Sequence, residues 1–226
     1  MSKKGFTLVE LLVVIAIIAV LAAILFPVFI SVKARAYETA CASNMSQIYK
    51  GICTYMQDND DKFPWATDYF VWDSGAVTLN LRDLLGVGGP RNVTCSKYIK
   101  NSNLFMCPAD IGIGTGASKQ NSFYSLYGCS YGYRGFHSLY WDPEEPRLPP
   151  DGYPITWLAG RRVGDFRRPS KTTCINDAWV WHRAATDQYF VNNPSKQKNL
   201  LNVVYVDGHA KSLFYNDFVA ALYIIK

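Results

Sequence analysis

The sequence predicts an α+β protein in which one long N-terminal helix, apolar in its first half and amphipathic in its second, packs on a β-rich globular head with long loops. Three observations predict it. Leu11–Ile30 runs for 20 residues without a charged or strongly polar side chain. Cys41, Met45, Ile48, Ile52, Tyr55 and Met56 then recur at helical spacing. Segments rich in β-branched and aromatic residues come late, beyond about residue 170. At 226 residues, 49% apolar and 18% charged, the chain has enough apolar material for a proper core and is not a disordered chain.

Twenty helical residues rise about 30 Å, enough to cross a hydrocarbon layer. A secretory signal peptide would have a shorter apolar core and a small-residue cleavage site. Here Phe26, Pro27, Val28 and Phe29 close the run, which reads as an anchored helix. Lys3 and Lys4 precede it, and Lys33 and Arg35 follow, so the flanking charges orient it only weakly. From Ser31 the helix continues as an amphipathic spine. Gly51 within it costs about 1 kcal/mol, and QDNDDK with Phe63 and Pro64 ends it.

Past Pro64 the expected elements are short. LRDLLG suggests a helix around Leu81–Leu85 and SKYIKN another around Tyr98, while Ile111–Ser122 and Asp142–Tyr153 read as long surface loops. Strands are expected at TTCIND around Ile175, DQYFVN around Phe190, NVVYV at Asn202–Val206 and HAKSLF at His209–Phe214. Asp207 and Gly208 between the last two make a D-G hairpin turn.

Six cysteines, Cys41, Cys53, Cys95, Cys107, Cys129 and Cys174, contain no C-x-x-C, and His137, His182 and His209 do not stand at zinc-ligand spacing from them. Extracytoplasmic disulfides explain the count better than a metal. Cys41 and Cys53 lie about 18 Å apart along one helix and cannot pair with each other; the remaining connectivity is open.

Other constellations give no catalytic pattern. IGIGTG at Ile111–Gly116 follows CPAD instead of a strand and lacks a Lys-Ser/Thr tail, so it is no phosphate loop. Asp58, Asp60 and Asp61 are spaced for oxygen ligation of calcium, but without a twelve-residue EF-hand loop they read as a solvated helix end. His182 and Ser170 belong to no Ser-His-Asp arrangement, and no cofactor is implied. The 6 Trp, 15 Tyr and 12 Phe either fill the core or display a stacking surface, with core filling the simpler reading. The net charge of +5, or +3 without Lys3 and Lys4, gives no support for a nucleic-acid partner. Arg161, Arg162, Arg167 and Arg168 read as a solvated loop.

Glu10 is the outlier, a carboxylate at the lip of the apolar run. A charge there costs at least about 2.5 kcal/mol and is usually kept for a partner. Cleavage between Gly5 and Phe6 would leave an α-ammonium group on Phe6, one turn before Glu10. In parallel helices the Glu10 of one subunit would then neutralise the amine of the next.

KKGFTLVELLVVIAIIAVLAAILFP resembles the signal of type IV pilins and type II secretion pseudopilins: basic leader, glycine, phenylalanine, glutamate four residues on, and an apolar helix. The resemblance implies cleavage after Gly5 by a prepilin peptidase, methylation of the new terminus at Phe6, and assembly through Glu10 and Pro27. It also implies a pilin-like fold, with a leader at 1–5, a transmembrane and assembly helix at 6–30, an amphipathic spine at 31–60 and a globular head at 61–226. Proline at position 27 would permit local unwinding or a kink.

CASNMSQIYKGICTYMQDNDDKFPW, LFMCPAD, SYGYRG, RRPSKTTCINDAW and NVVYVDGHAKSL are similar to pseudopilin-like proteins with a C-terminal H-x9-DG motif. Here the pattern departs: Gln197 stands where that family has its histidine.

Two function classes follow. In the first, favoured, class the chain is a non-enzymatic structural subunit of a type IV pilus-like filament or secretion pseudopilus. Its implied partners are copies of itself or other pilins, the peptidase, the assembly platform and ATPase, and the cytoplasmic membrane. In the second, the helix anchors an extracytoplasmic binding or hydrolytic domain, and the Gly5, Phe6 and Glu10 pattern is accidental.

Overall fold

The computed structural model describes residues 7–66, 85, 97–110, 122–134, 158–178, 182, 200–214 and 217–218. The chain divides into two compact units, Met1–Ala36 and Tyr37–Lys226, and helix α1 (Leu8–Asp58) contributes to both.

In the first unit α1 is apolar on all sides, and every large hydrophobic side chain from Leu8 to Ile30 is exposed. It is long and apolar enough to cross a membrane. The helix runs through Pro27, whose missing N–H leaves the Ala23 carbonyl without its usual helical donor. One turn on, the Ser31 hydroxyl donates to the Val28 carbonyl at 2.8 Å.

The second unit begins where α1 gains a buried stripe: Cys41, Met45, Ile48, Gly51, Ile52 and Met56. This is the predicted amphipathic face, except that Tyr55 is only half-buried at its edge, and with Gly51 added for a reason the spacing does not show. A Cβ there would stand 2.6 Å from Ile99 Cγ1. The helix ends at Asp58, and Asp60 and Asp61 turn the chain through left-handed φ values of 55° and 58°.

Among the described residues the head contains a four-stranded antiparallel sheet in sequence order: β1 (Tyr131–Tyr133), β2 (Thr173–Asp177), β3 (Leu200–Tyr205) and β4 (Ala210–Phe214). In the register, Tyr133 pairs with Ile175, Asn176 with Val203 and Val204 with Ala210, with an irregularity between Thr173 and Ile175. Strands β2 and β3 are buried along their whole lengths, as central strands covered on both faces should be, whereas β4 is largely exposed. The core joins Cys41, Met45, Ile48 and Ile52 of α1 to Tyr131, Tyr133, Cys174, Ile175 and Val204 of the sheet. Long-range bonds tie the helix to the sheet and its last turn: Tyr49 Oη donates to the Val206 carbonyl at 2.5 Å, Asn202 Nδ2 to the Glu38 carbonyl at 3.1 Å, and Asn44 Nδ2 to Tyr131 Oη at 3.4 Å.

Three of the predicted late strands are present in full or nearly so, with the VDGH segment as the turn between the last two; Gly208 has φ +90° there. The fourth, DQYFVN, lies outside the described residues, as do residues 111–121 and 142–153 of the expected loops. Strand β1, within SYGYRG, is not among the expected strands, because three residues centred on a glycine carry too little periodicity to register.

The helix expected around Tyr98 is corrected: Lys97 and Tyr98 lie in a turn and bend. Tertiary contacts override local propensity here. The Ile99 amide donates to the Leu85 carbonyl at 3.1 Å, Lys97 reaches Asp58, and the Tyr98 ring stands edge-on to Tyr55 at 5.4 Å. Leu85, the described residue of the LRDLLG helix, sits buried in a turn.

The LFMCPAD segment is pinned by hydrogen bonds to its neighbours. A 3₁₀ turn, Ser102–Phe105, leads into Cys107. Asp110 then accepts the Phe123 and Tyr124 amides at 3.0 and 2.9 Å, at the start of the short helix α2 (Phe123–Tyr127), and the Ser130 hydroxyl at 2.6 Å.

Candidate functional site

The first candidate site is the start of α1. Gly5 and Phe6 lie outside the described residues. Thr7 immediately follows them and caps the helix reciprocally with Glu10: the Thr7 amide and hydroxyl donate to Glu10 Oε2 at 2.8 and 2.7 Å, and the Glu10 amide donates to Thr7 Oγ1 at 3.3 Å. This is a capping box, which satisfies amides that a helix start otherwise leaves bare. TLVE carries its T-x-x-E signature, legible in the sequence but masked there by the oddity of the charge. Glu10 therefore has a local partner, and both bonds it accepts from Thr7 fall on Oε2. Among the described residues Oε1 accepts no hydrogen bond.

The acidic trio at the end of α1 does not converge. Asp58 pairs with Lys97 at 2.6 Å and Asp60 with Lys62 at 3.5 Å. The Asp60 carbonyl accepts Arg162 Nε at 2.9 Å. Arg161, Arg162, Arg167 and Arg168 are exposed.

The cysteines separate into different roles. Cys41 on α1 and Cys107 form a disulfide across 66 residues of sequence. Closing a loop of that length restricts the unfolded chain by about 4 kcal/mol in the chain-entropy model. Cys53 and Cys174 are thiols, half-buried and buried, and burial pushes both above the ordinary thiol value, Cys174 well above it. Cys129 is buried, its Sγ 3.2 Å from the Tyr131 carbonyl oxygen. Cys95 lies outside the described residues.

Beside the disulfide the structure assembles a group that spacing along the chain does not reveal. Cys41, Cys107, Asp177 and His182 are all buried, and their donor atoms lie within 4.8 Å of one another. His182 Nε2 stands 3.1 Å from Asp177 Oδ2 and 3.9 Å from Cys107 Sγ. Asp177 Oδ2 also accepts the Asn202 amide at 2.6 Å. Burial raises the Asp177 carboxyl above its ordinary value, against the opposing pull of His182 and Asn202. His182 is placed by an antiparallel bridge to Leu200, whose amide donates to its carbonyl at 3.0 Å. Four segments scattered over the sequence meet here, which explains why sequence spacing excluded these histidines and cysteines from a common site.

Comparisons with known proteins bear on the amino-terminal segment and on the chain beyond it. Residues 1–26 match the family described as the prokaryotic N-terminal methylation motif. The chain is 34% identical over 114 residues to the type IV wide pilus major component PilA4 of Thermus thermophilus, covering 50% of this chain and 78% of that protein. It is 39% identical over 58 residues to the type IV major pilin protein PilA of Myxococcus xanthus, covering 26% of each. No solved structure gives a significant match. A shared methylation motif, a long apolar N-terminal helix, an antiparallel sheet in the head, and one-third identity across most of a pilin's length together place the chain in the type IV pilin family, as a structural subunit of a pilus or pseudopilus.

Proposed function

We propose that the chain is inserted in the cytoplasmic membrane with its head extracytoplasmic, cut between Gly5 and Phe6 by a prepilin peptidase, N-methylated at Phe6, and polymerised helix against helix. An assembly platform and its ATPase drive that step, with copies of this chain or other pilins as neighbours. The observation that carries this reading is the placement of the Thr7–Glu10 cap directly after the cut site, at the head of an apolar surface that the chain itself leaves uncovered. After cleavage the new amine would stand one turn from a carboxylate with an oxygen to spare. Glu10 would then both start its own helix and neutralise the Phe6 amine of a neighbour. The head is read as a structural, non-catalytic module, in keeping with two relatives named as major pilus components.

Mass spectrometry of the amino-terminal peptide, from protein isolated in its native membrane, tests the pathway. A chain beginning at methylated Phe6 supports it. A chain still beginning at Met1 or Ser2 favours the second reading, an anchored extracytoplasmic domain.

A further inference from the structure

We propose that Cys41, Cys107, Asp177 and His182 form a buried zinc site in the reduced chain, for which the Cys41–Cys107 disulfide is the oxidised alternative. Two thiolates, an imidazole and a carboxylate are a donor set suited to zinc, whose tetrahedral shell takes sulfur at about 2.3 Å and nitrogen or oxygen at about 2.0–2.2 Å. Bonds of that length put the donors about 3–4 Å from one another. The four donor atoms already fall within 4.8 Å, so side-chain adjustment around the opened disulfide suffices.

The second observation is the polarity left over. A disulfide packs well among apolar side chains and needs no ionisable neighbours, yet this one has an Asp–His pair against it with side-chain exposures of 0% and 1%. Asp177 Oδ1 and His182 Nδ1 are buried without hydrogen-bond partners. Isolated burial of such groups is costly. Asp177 Oδ2 is engaged by the Asn202 amide and stands 3.1 Å from His182 Nε2, leaving Oδ1 for an ion, while the same Nε2 lies 3.9 Å from the Cys107 sulfur and would exchange the carboxylate for the metal. A divalent cation compensates the carboxylate and employs the bare oxygen. The ligands also come from α1, the segment after Ser102–Phe105, the end of β2 and the bridge to β3, so the ion would staple the same elements as the disulfide.

The chemistry balances with a dithiol as the reductant. A dithiol reductant transfers two electrons and two protons to the sulfurs and becomes a disulfide itself. Zinc binding then forms two Zn–S bonds and releases the two thiol protons, while Asp177 and His182 donate lone pairs.

The test uses the full chain in detergent, reduced anaerobically, freed of reductant and metal, and alkylated with iodoacetamide with or without one equivalent of Zn²⁺, followed by peptide mapping. Expected is protection of Cys41 and Cys107 with no change at Cys53. Equal alkylation with and without zinc, or protection at Cys53 instead, overturns the proposal. Cobalt titration supplies a spectroscopic check: thiolate-to-cobalt charge transfer and tetrahedral bands at one equivalent are expected, weakened about tenfold or more in affinity by Asp177→Asn or His182→Gln. Unchanged cobalt affinity in both variants also overturns it. If neither variant folds, the alkylation map of the unsubstituted chain decides.

Discussion

The Tyr49 ring lies against Gly208: a Cβ at that glycine would come within 2.7 Å of Tyr49 Cε1. The same tyrosine donates its hydroxyl to the Val206 carbonyl, so one side chain of α1 secures both sides of the β3–β4 turn. Gly208→Ala would meet the ring and also carry a side chain at φ +90°. We expect a loss of about 2 kcal/mol, read as a lowered thermal midpoint of the full chain. Tyr49→Phe, which keeps the ring and removes the hydroxyl, should cost about 1 kcal/mol. A Gly208→Ala chain as stable as the parent would show that the helix does not seat on this turn.

Gly51 lacks the gain from alanine expected of an exposed helical glycine. Alanine there would recover about 1 kcal/mol of helix propensity. It would also overlap Ile99, a buried side chain with little room to retreat. Overpacking of this kind costs about 1–3 kcal/mol, so Gly51→Ala should leave stability unchanged or lower. A clear gain in urea midpoint would count against the close approach of α1 and Ile99.

Glu10 can be dissected because glutamine also serves at the third position of a capping box. Glu10→Gln keeps an acceptor for Thr7 and removes the charge; Glu10→Ala removes both. If charge neutralisation between subunits governs assembly, both variants insert in the membrane and both assemble poorly. Filament yield from Glu10→Gln equal to the parent would assign Glu10 to the cap alone.

Processing should follow the size of residue 5. Gly5→Ala is expected to be cut better than Gly5→Trp, since the peptidase must accommodate the residue before the bond. Comparable conversion of both, followed by the mass shift of the chain, would count against cleavage at this position.

Alkaline pH should weaken the head. Burial holds the Cys174 thiol and the Tyr133 phenol well above their ordinary values of 9.0 and 10.0, and raises Tyr131 and Tyr49 as well. Below about pH 8 these groups are protonated in both folded and unfolded chains, and stability is unaffected. Above it the unfolded chain loses protons that the folded chain retains, so stability falls as pH rises toward the raised folded values. A thermal midpoint that declines from about pH 8 to about pH 11, less steeply in Cys174→Ala, is the expected result. A flat profile would indicate that these groups are open to solvent.

Much of the molecule was readable along the chain because its causes are local. The apolar run Leu11–Ile30 has no polar interruption to hide it, and the stripe from Cys41 to Met56 repeats at the helical period. The late strands announce themselves through β-branched residues on either side of the D-G turn. Gly5, Phe6 and Glu10 stand within six residues of one another inside the segment that matches the methylation motif, and the cap of the helix is written there as TLVE.

Local pattern alone therefore specifies the long helix, the late strands on either side of the D-G turn, and the methylation-motif signature at the amino terminus. Only the tertiary structure decided which cysteine meets Cys41, why Gly51 is small, and why SKYIKN is a turn. It also decided that Asp177 and His182 face the disulfide. The physical reason is contact distance: periodicity and turn chemistry act over a few residues, whereas the Cys41–Cys107 bond spans 66 and the Tyr49–Val206 bond 157. Partners so far apart are chosen by the packing of α1 on the sheet, which no local pattern encodes.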